Sequence, residues 1–202
     1  MKLNCLSILF VSSLILSLTA CGFNEKHIRS YNFYVHSNNQ LYINTINTLV
    51  DDFNDCIGSP LFKTTRDTTD YNSSIYFNSN LSDLGNNVVG YGTYIRKTSE
   101  DNPLEVLTGS KHTIYYTYTG EIRLDSNFIE KNTMNTSADG LNIDKNSDEY
   151  TELKKLFFHE AGHVIGLEHT PNQSDVMYYE ISGTKNFQDF CQSVRDYLNE
   201  NN

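Results

Sequence analysis

Apolar residues recur along this chain at the spacing of an amphipathic helix in three places. Over residues 41–57 they return every three or four positions, and Gly58 and Pro60 follow where such a helix would end. The same spacing starts near Asp148 and returns over residues 186–199. The chain is therefore predicted to contain three long helices. The apolar stripe of the second consists of Leu153, Leu156, Phe157, Ala161 and Val164.

Alternation of apolar and polar residues predicts the strands. It is present over residues 31–37, 73–79, 86–98 and 112–126. In the last stretch we interpret Thr119-Gly120 as a turn between two strands. The order of elements is strand, helix, several strands, and then two helices. This order predicts an α+β domain, in which helices cover a sheet.

A polar, acidic stretch over residues 135–149 separates the strands from the second helix. It is rich in turn residues and is predicted to be a loop. Asp139, Asp144 and Asp148 are candidate ligands for Ca²⁺ in this loop. Their order does not match an EF-hand loop, so a solvated loop is the alternative interpretation.

The first 20 residues have the pattern of an export signal. Lys2 precedes an apolar run that ends in small residues, and the run is too short for a membrane span. "LTAC", residues 18–21, resembles the lipobox of bacterial lipoproteins, in which the cysteine carries the lipid. An ordinary secretory signal cleaved after Ala20 is the alternative. The resemblance implies an envelope lipoprotein anchored through Cys21, and without an aspartate after that cysteine the outer membrane is favoured.

Composition and length limit the possible partners and the number of domains. The chain has 202 residues and a formal charge of −10, with no basic patch, so we expect no nucleic-acid partner. We predict a lipid-bearing tether over residues 21–30 and one domain over residues 31–202, which we expect to be a monomer. Cys56 and Cys191 are candidates for a disulfide in an oxidising compartment, or are two small buried hydrophobes.

Three of the six histidines lie within "HEAGHVIGLEHT", residues 159–170. His159 and His163 are four residues apart on a predicted helix, so both imidazoles project from one face. Gly166 can adopt a positive φ, which would bend the chain and return His169 towards the same point. Three imidazoles with one open position are typical of a catalytic zinc site, whereas a structural site is closed by a fourth protein ligand.

Glu160 follows the first histidine and is rotated about a third of a turn from it on the helix. It is therefore placed beside the open position rather than on the ion. A zinc-bound water has a pKa near neutrality, and Glu160 could accept its proton and pass it to a leaving amine. The predicted reaction is hydrolysis of an amide, most simply a peptide bond.

The five positions His159, Glu160, His163, Gly166 and His169 resemble the long zinc-binding signature of the metzincin metallopeptidases. Met177 is similar to the methionine of their Met-turn. The resemblance implies a twisted mixed sheet with two long helices, a zinc cleft, and a small C-terminal subdomain that ends in a helix. Astacins join their first and last helices by a disulfide, and this likeness favours a bond between Cys56 and Cys191.

Three residues point to different branches of the metzincin class. Thr170 is similar to the serine or threonine that matrixins carry after the third histidine, and Tyr178 is similar to their usual tyrosine. Tyr179 instead resembles the tyrosine of astacins and serralysins that can approach zinc and stabilise the oxyanion. The alternative role for Tyr179 is packing in the wall of the specificity pocket, which is expected from residues 178–186.

The resemblance also implies how substrate binds. A protein or peptide would lie extended along a sheet edge, for which the strand near Val88 to Ile95 is the candidate because "GYGT" resembles the edge strand of small bacterial members. The predicted function is a zinc-dependent endopeptidase displayed on a bacterial envelope. A catalytically silent zinc-binding or adhesion lipoprotein is the alternative, and an intact Glu160 favours the enzyme.

Overall fold

The computed structural model describes residues 24–78, 81, 83–85, 87–100, 113–133 and 144–201. The predicted signal over residues 1–20, the candidate lipid-bearing Cys21 and the candidate calcium ligand Asp139 lie outside the described residues. The chain divides into two compact units, of which one comprises Met1–Ile28 with Lys97–Thr117 and the other Arg29–Arg96 with Tyr118–Asn202.

The described part of the smaller unit is built on strand β1, Asn24–Ile28. It pairs in parallel with the beginning of strand β6, Thr113–Asp125, from Asn24 opposite Thr113 to Ile28 opposite Thr117. The His27 ring stacks on Tyr116 with centroids 4.8 Å apart. Residues 24–28 of the predicted tether over residues 21–30 therefore form a strand. The strand residues are mostly polar, and the main-chain ladder that holds them comes from a partner about ninety residues away in sequence.

The larger unit contains strands β2 (Tyr31–His36), β3 (Phe62–Thr65) and β4 (Ser73–Asn78). Strand β2 pairs in parallel with both β3 and β4, and β4 pairs in parallel with the end of β6. Strand β5, Gly90–Glu100, pairs with β6. Strands β2 and β4 confirm the alternation seen in the sequence, whereas the short strand β3 was not predicted.

In the described part of the chain four helices accompany these strands: α1 (Gln40–Ile57), α2 (Ser126–Lys131), α3 (Asp148–Ile165) and α4 (Phe187–Glu200). The side chains of Asn39, Ser147 and Asn186 accept backbone N–H groups at the starts of the three long helices. These three helices confirm the periodicity in the sequence. The short α2 was not predicted. No helix among the described residues is both long and apolar enough to cross a bilayer.

The predicted turn at Thr119-Gly120 was wrong, because β6 runs through both residues without interruption. The Gly120 N–H donates to Ser73 Oγ at 2.9 Å. A Cβ placed on Gly120 would lie only 2.6 Å from Cγ1 of Val164 on α3. Glycine is present here because the helix packs closely on the strand, and this requirement leaves the same sequence signal as a turn.

An aromatic cluster joins the three long helices α1, α3 and α4. Phe53 of α1 stacks on Phe62 with centroids 4.8 Å apart, and makes edge contacts with Phe158 of α3 and Phe190 of α4. A disulfide between Cys56 and Cys191 links α1 to α4, with Cα atoms 5.4 Å apart. These contacts fix the orientation of α3, which carries the histidine motif.

A charged cluster holds the beginning of α3 against α1. The carboxylate of Asp52 accepts from Tyr150 Oη at 2.9 Å and from Nζ of Lys154 at 3.3 Å, and it is also bound by Lys145. Burial raises the pKa of Asp52, but the hydrogen bonds from Lys145 and Tyr150 and the charge of Lys154 outweigh it and lower the pKa below its ordinary value.

We expect Asp52→Asn to lower the free energy of unfolding by about 1–2 kcal/mol at neutral pH, because bonds to an ionised carboxylate are lost. The folded-state pKa lies below the unfolded value of about 3.9, so this contribution is fully present above that value. It is lost as the pH falls through the folded-state pKa. Urea unfolding at a series of pH values measures the difference.

Asp55 is exposed on the same helix, and Asp55→Asn is the matched control. We expect this variant to stay within about 0.5 kcal/mol of the parent at every pH. A gap between the parent and Asp52→Asn that stays constant into strong acid would contradict the role assigned to the carboxylate.

Candidate active site

Three histidines converge at the end of α3. Nε2 of His159 lies 3.2 Å from Nε2 of both His163 and His169, and the last two nitrogens are 3.1 Å apart. Nδ1 of His159 lies 2.7 Å from the Val176 carbonyl, and Nδ1 of His163 lies 2.9 Å from the Leu167 carbonyl. A carbonyl only accepts, so both Nδ1 atoms carry the proton and both Nε2 atoms present a lone pair.

Two lone pairs cannot form a hydrogen bond with each other, so the converging Nε2 atoms need another partner. The triangle that the three Nε2 atoms form has the dimensions of a metal site. Zinc binds imidazole nitrogens at about 2.0–2.1 Å, which places tetrahedral ligands roughly 3.3 Å apart. The three nitrogens match this spacing. Within the described residues the group contains these three histidines and no fourth side-chain ligand. The donor set therefore fits zinc with one open coordination position.

The electrostatics of the site agree with neutral imidazoles. Burial lowers the pKa of His159 to about 4, although its bond to the Val176 carbonyl opposes the shift. Burial also lowers the pKa of His163. Metal binding requires the unprotonated ring, and both shifts favour that form.

The turn that returns His169 begins at Gly166, which has φ 112°. Its N–H donates to the carbonyls of Gly162 and His163, and the Leu167 N–H donates to Gly162 O at 2.9 Å. A Cβ at this position would also lie 2.5 Å from Tyr197 Oη of α4. Glycine is thus needed both for the backbone conformation and for the close approach of α4.

Met177 lies beneath the ligands and is 2% exposed. Its Sδ packs so close to Gly162 that a Cβ there would overlap the sulfur. The Thr170 N–H donates to the Met177 carbonyl at 3.0 Å, and the neighbouring Val176 carbonyl holds His159. Residues 176–177 therefore orient the ligand His159 directly and fix the loop that carries the ligand His169.

Glu160 is 4% exposed and lines the same cleft as the three histidines. Burial raises its pKa to about 8, although a hydrogen bond from the Gly92 N–H opposes the shift. A divalent cation held by the imidazoles would favour the carboxylate form. The structure places this carboxyl group beside the ligands, on the side that faces β5.

The cleft has a volume of about 720 Å³. The first residues of β5, Gly90 to Gly92, form one side, and residues 179–182, which we call the cleft wall, form another. Between them the lining is mostly apolar. The apolar side chains there are Leu84, Val88, Val89, Phe128 and Leu156, and the cleft wall adds Ile181.

The segment that carries the cleft wall is closed at its base by two hydrogen bonds. The Asn186 N–H donates to Ser174 O at 2.7 Å, and Nζ of Lys185 donates to Gln173 O at 2.9 Å. The Lys185 ammonium also lies 4.9 Å from the centre of the Tyr178 ring. Lys185 is 7% exposed, so this buried cation anchors the wall.

Tyr179 lies on the cleft wall and is 62% exposed. Its ring centroid is 4.3 Å from that of Tyr178, and the pKa of Tyr179 is raised because its hydroxyl donates a hydrogen bond to Tyr178. The structure thus places Tyr179 in the pocket wall, one of the two roles expected for it. Stabilisation of an oxyanion by its hydroxyl stays a prediction.

The calcium hypothesis gains no support. Asp144 is exposed and accepts the backbone N–H of Asn146, a local turn that needs no ion, and Asp148 is exposed in the first turn of α3. Asp139 lies outside the described residues.

Some parts of the site were not visible in the sequence. The two carbonyls that fix the histidine tautomers belong to Val176 and Leu167, and backbone groups leave no residue signature. The motif "GYG" was interpreted only as part of a substrate-binding edge strand. Its contact with Glu160 depends on packing between β5 and α3.

Three converging imidazoles, a buried glutamate beside them, a glycine bend and a methionine beneath the ligands define a metzincin-type zinc metallopeptidase site. The model of the matrixin family matches residues 72–196, which include every one of these residues and more than half of the chain. The chain belongs to the matrixin family. A search of the curated proteins found no match.

Proposed function

We propose that this protein is a zinc-dependent endopeptidase in which Glu160 is the general base. The observation that carries the proposal is the convergence of three imidazole nitrogens in a cleft that also contains a buried carboxyl group. The intact carboxyl group weighs against the alternative of a silent zinc-binding or adhesion protein. A protein that only binds has no need for a base next to the ligands.

When bound, zinc lowers the pKa of a coordinated water and polarises the carbonyl of the substrate. His159, His163 and His169 would hold the ion, and the carbonyls of Val176 and Leu167 keep two of these rings in the ligand tautomer. Glu160 takes a proton from the attacking water and gives it to the leaving amine. The apolar lining of the cleft limits the access of bulk water to this transfer.

The substrate we propose is an extended protein or peptide segment. The part of β5 in the larger unit is mostly exposed, and Tyr91, Tyr94 and Ile95 present their side chains to solvent. A segment that adds to this strand gains main-chain hydrogen bonds and passes the cleft that contains Glu160. The apolar lining favours an apolar side chain next to the scissile bond.

The protein is proposed to act at the bacterial cell envelope, anchored through a lipid on Cys21, with the outer membrane favoured. The support is the sequence "LTAC" after an apolar signal. Metabolic labelling with a radioactive fatty acid tests this. Label in the parent and none in Cys21→Ala is the expected result, and equal labelling of both would exclude the anchor.

The test of the endopeptidase uses the chain without its first 21 residues, loaded with zinc, on unfolded casein and a mixed peptide library. We expect cleavage that a chelator abolishes and added zinc restores. A folded protein that binds one zinc and cleaves neither substrate would favour the binding-protein alternative. A folded protein that binds no zinc would exclude both.

A further inference from the structure

The motif "GYG" of β5 packs directly against Glu160 of α3. A Cβ placed on Gly90 would overlap Oε1 of Glu160 and lie 2.5 Å from Cδ1 of Leu156. A Cβ placed on Gly92 would overlap the backbone carbonyl oxygen of Glu160. Neither glycine has a positive φ. The requirement for glycine at both positions is therefore one of space, because any side chain would displace the glutamate or the helix that carries it.

Gly92 also contributes a polar contact to the same group, because its backbone N–H donates to the Glu160 carboxyl group. Glu160 is 4% exposed, so this contact is shielded from solvent. Tyr91, between the two glycines, is 36% exposed. Alternate residues of a strand face opposite sides, so both glycines face α3.

We propose that Gly90 and Gly92 are positioning residues for Glu160: the first leaves room for its carboxyl group and the second holds that group through a backbone N–H. The inference rests on the proposed endopeptidase activity, in which Glu160 transfers a proton. Strand β5 would then have two functions, since its exposed side chains face substrate while its glycines set the position of the base.

Placement of a catalytic group within a fraction of an ångström controls the rate of the chemical step. A displacement of about 1 Å can lower the rate about 10²-fold. Gly90→Ala pushes on the carboxyl group itself, and Gly92→Ala pushes on the helix backbone and breaks the N–H contact. We expect each variant to lower kcat about 10²-fold, with KM within about threefold of the parent and one zinc per chain.

Gly120→Ala is the matched control. It introduces the same methyl group against the same helix, 2.6 Å from Val164 Cγ1, but away from the carboxyl group. We expect a lower melting temperature with kcat within about twofold of the parent. If Gly90→Ala and Gly92→Ala lose no more kcat than Gly120→Ala, the positioning role is excluded.

A double-mutant cycle between residues 90 and 160 distinguishes a direct effect of residue 90 on the carboxyl group from a general loss of stability. Aspartate at position 160 has a shorter side chain and leaves room for a Cβ on residue 90. We therefore expect Glu160→Asp to cost at least tenfold less kcat in the Gly90→Ala background than in the parent. If the two substitutions lower kcat by factors that simply multiply in the double variant, residue 90 acts independently of the carboxyl group.

The amide signal of Gly92 in a ¹⁵N–¹H NMR spectrum tests the contact without any measurement of activity or any change in the strand. We expect a downfield proton shift in the zinc-loaded protein that disappears in Glu160→Ala, while the Gly120 amide keeps its position. An unchanged Gly92 signal would overturn the proposal. A parent that cleaves nothing yet shows this shift would contradict the endopeptidase and leave the positioning contact in place.

Discussion

Glu160→Gln is expected to lower kcat for peptide cleavage by about 10²–10⁴-fold while the protein keeps one zinc per chain. This range is the usual contribution of a general acid–base group, and the amide can neither accept nor deliver the proton. The three ligands and their supporting carbonyls are unchanged by the substitution. Steady-state kinetics on one fluorogenic peptide, with zinc content measured on the same sample, separates loss of the base from loss of the metal.

Glu168→Gln is the matched control for this experiment. Glu168 lies next to the ligand His169, but its side chain is exposed. We expect its kcat to stay within about twofold of the parent. If Glu160→Gln cleaved the peptide at more than a tenth of the parental rate with its zinc intact, another group would have to be the base.

The second large effect is expected from removal of the disulfide. Cys56→Ala together with Cys191→Ala should lower the free energy of unfolding by about 2–5 kcal/mol. The bond spans 135 residues, so its loss gives the unfolded chain a large gain in conformational freedom. In the folded chain, α1 and α4 would keep the contact between Phe53 and Phe190 but lose their covalent link. Urea unfolding of the zinc-loaded proteins measures the difference.

Ser193→Ala, on the exposed side of α4, controls for the cost of changing that helix. We expect a change of no more than about 0.5 kcal/mol for this variant. The parent treated with a reductant should unfold at the same urea concentration as the double cysteine variant. Equal stability of the oxidised parent and the double variant would mean that the bond does not form in solution.

The metal centre could be predicted because the residues that form it lie close together in the sequence. His159 and His163 share a helix face by spacing alone, and Gly166 marks the bend that returns His169. The predicted bend agrees with the φ of 112° at that residue. The helix limits were equally accessible, since Gly58 and Ser147 are caps that act on adjacent residues.

The errors arose where a distant partner decides the structure. Residues 24–28 are too polar to be predicted as a strand, and only their pairing with β6 makes them one. Gly120 was interpreted as a turn former although it provides space for Val164. The same ambiguity hid the contact of Gly90 and Gly92 with Glu160. A sequence shows that a side chain is missing, but not which neighbour requires the space.

The disulfide between α1 and α4 limits the order in which parts of the molecule can fold during synthesis. Cys56 is synthesised 135 residues before Cys191, and all three zinc ligands fall between them. A growing chain therefore contains every ligand before it contains Phe190 and Tyr197, which pack against α3 and its Gly166 turn. The packing around α3 and its Gly166 turn can therefore be completed only after α4 has been synthesised.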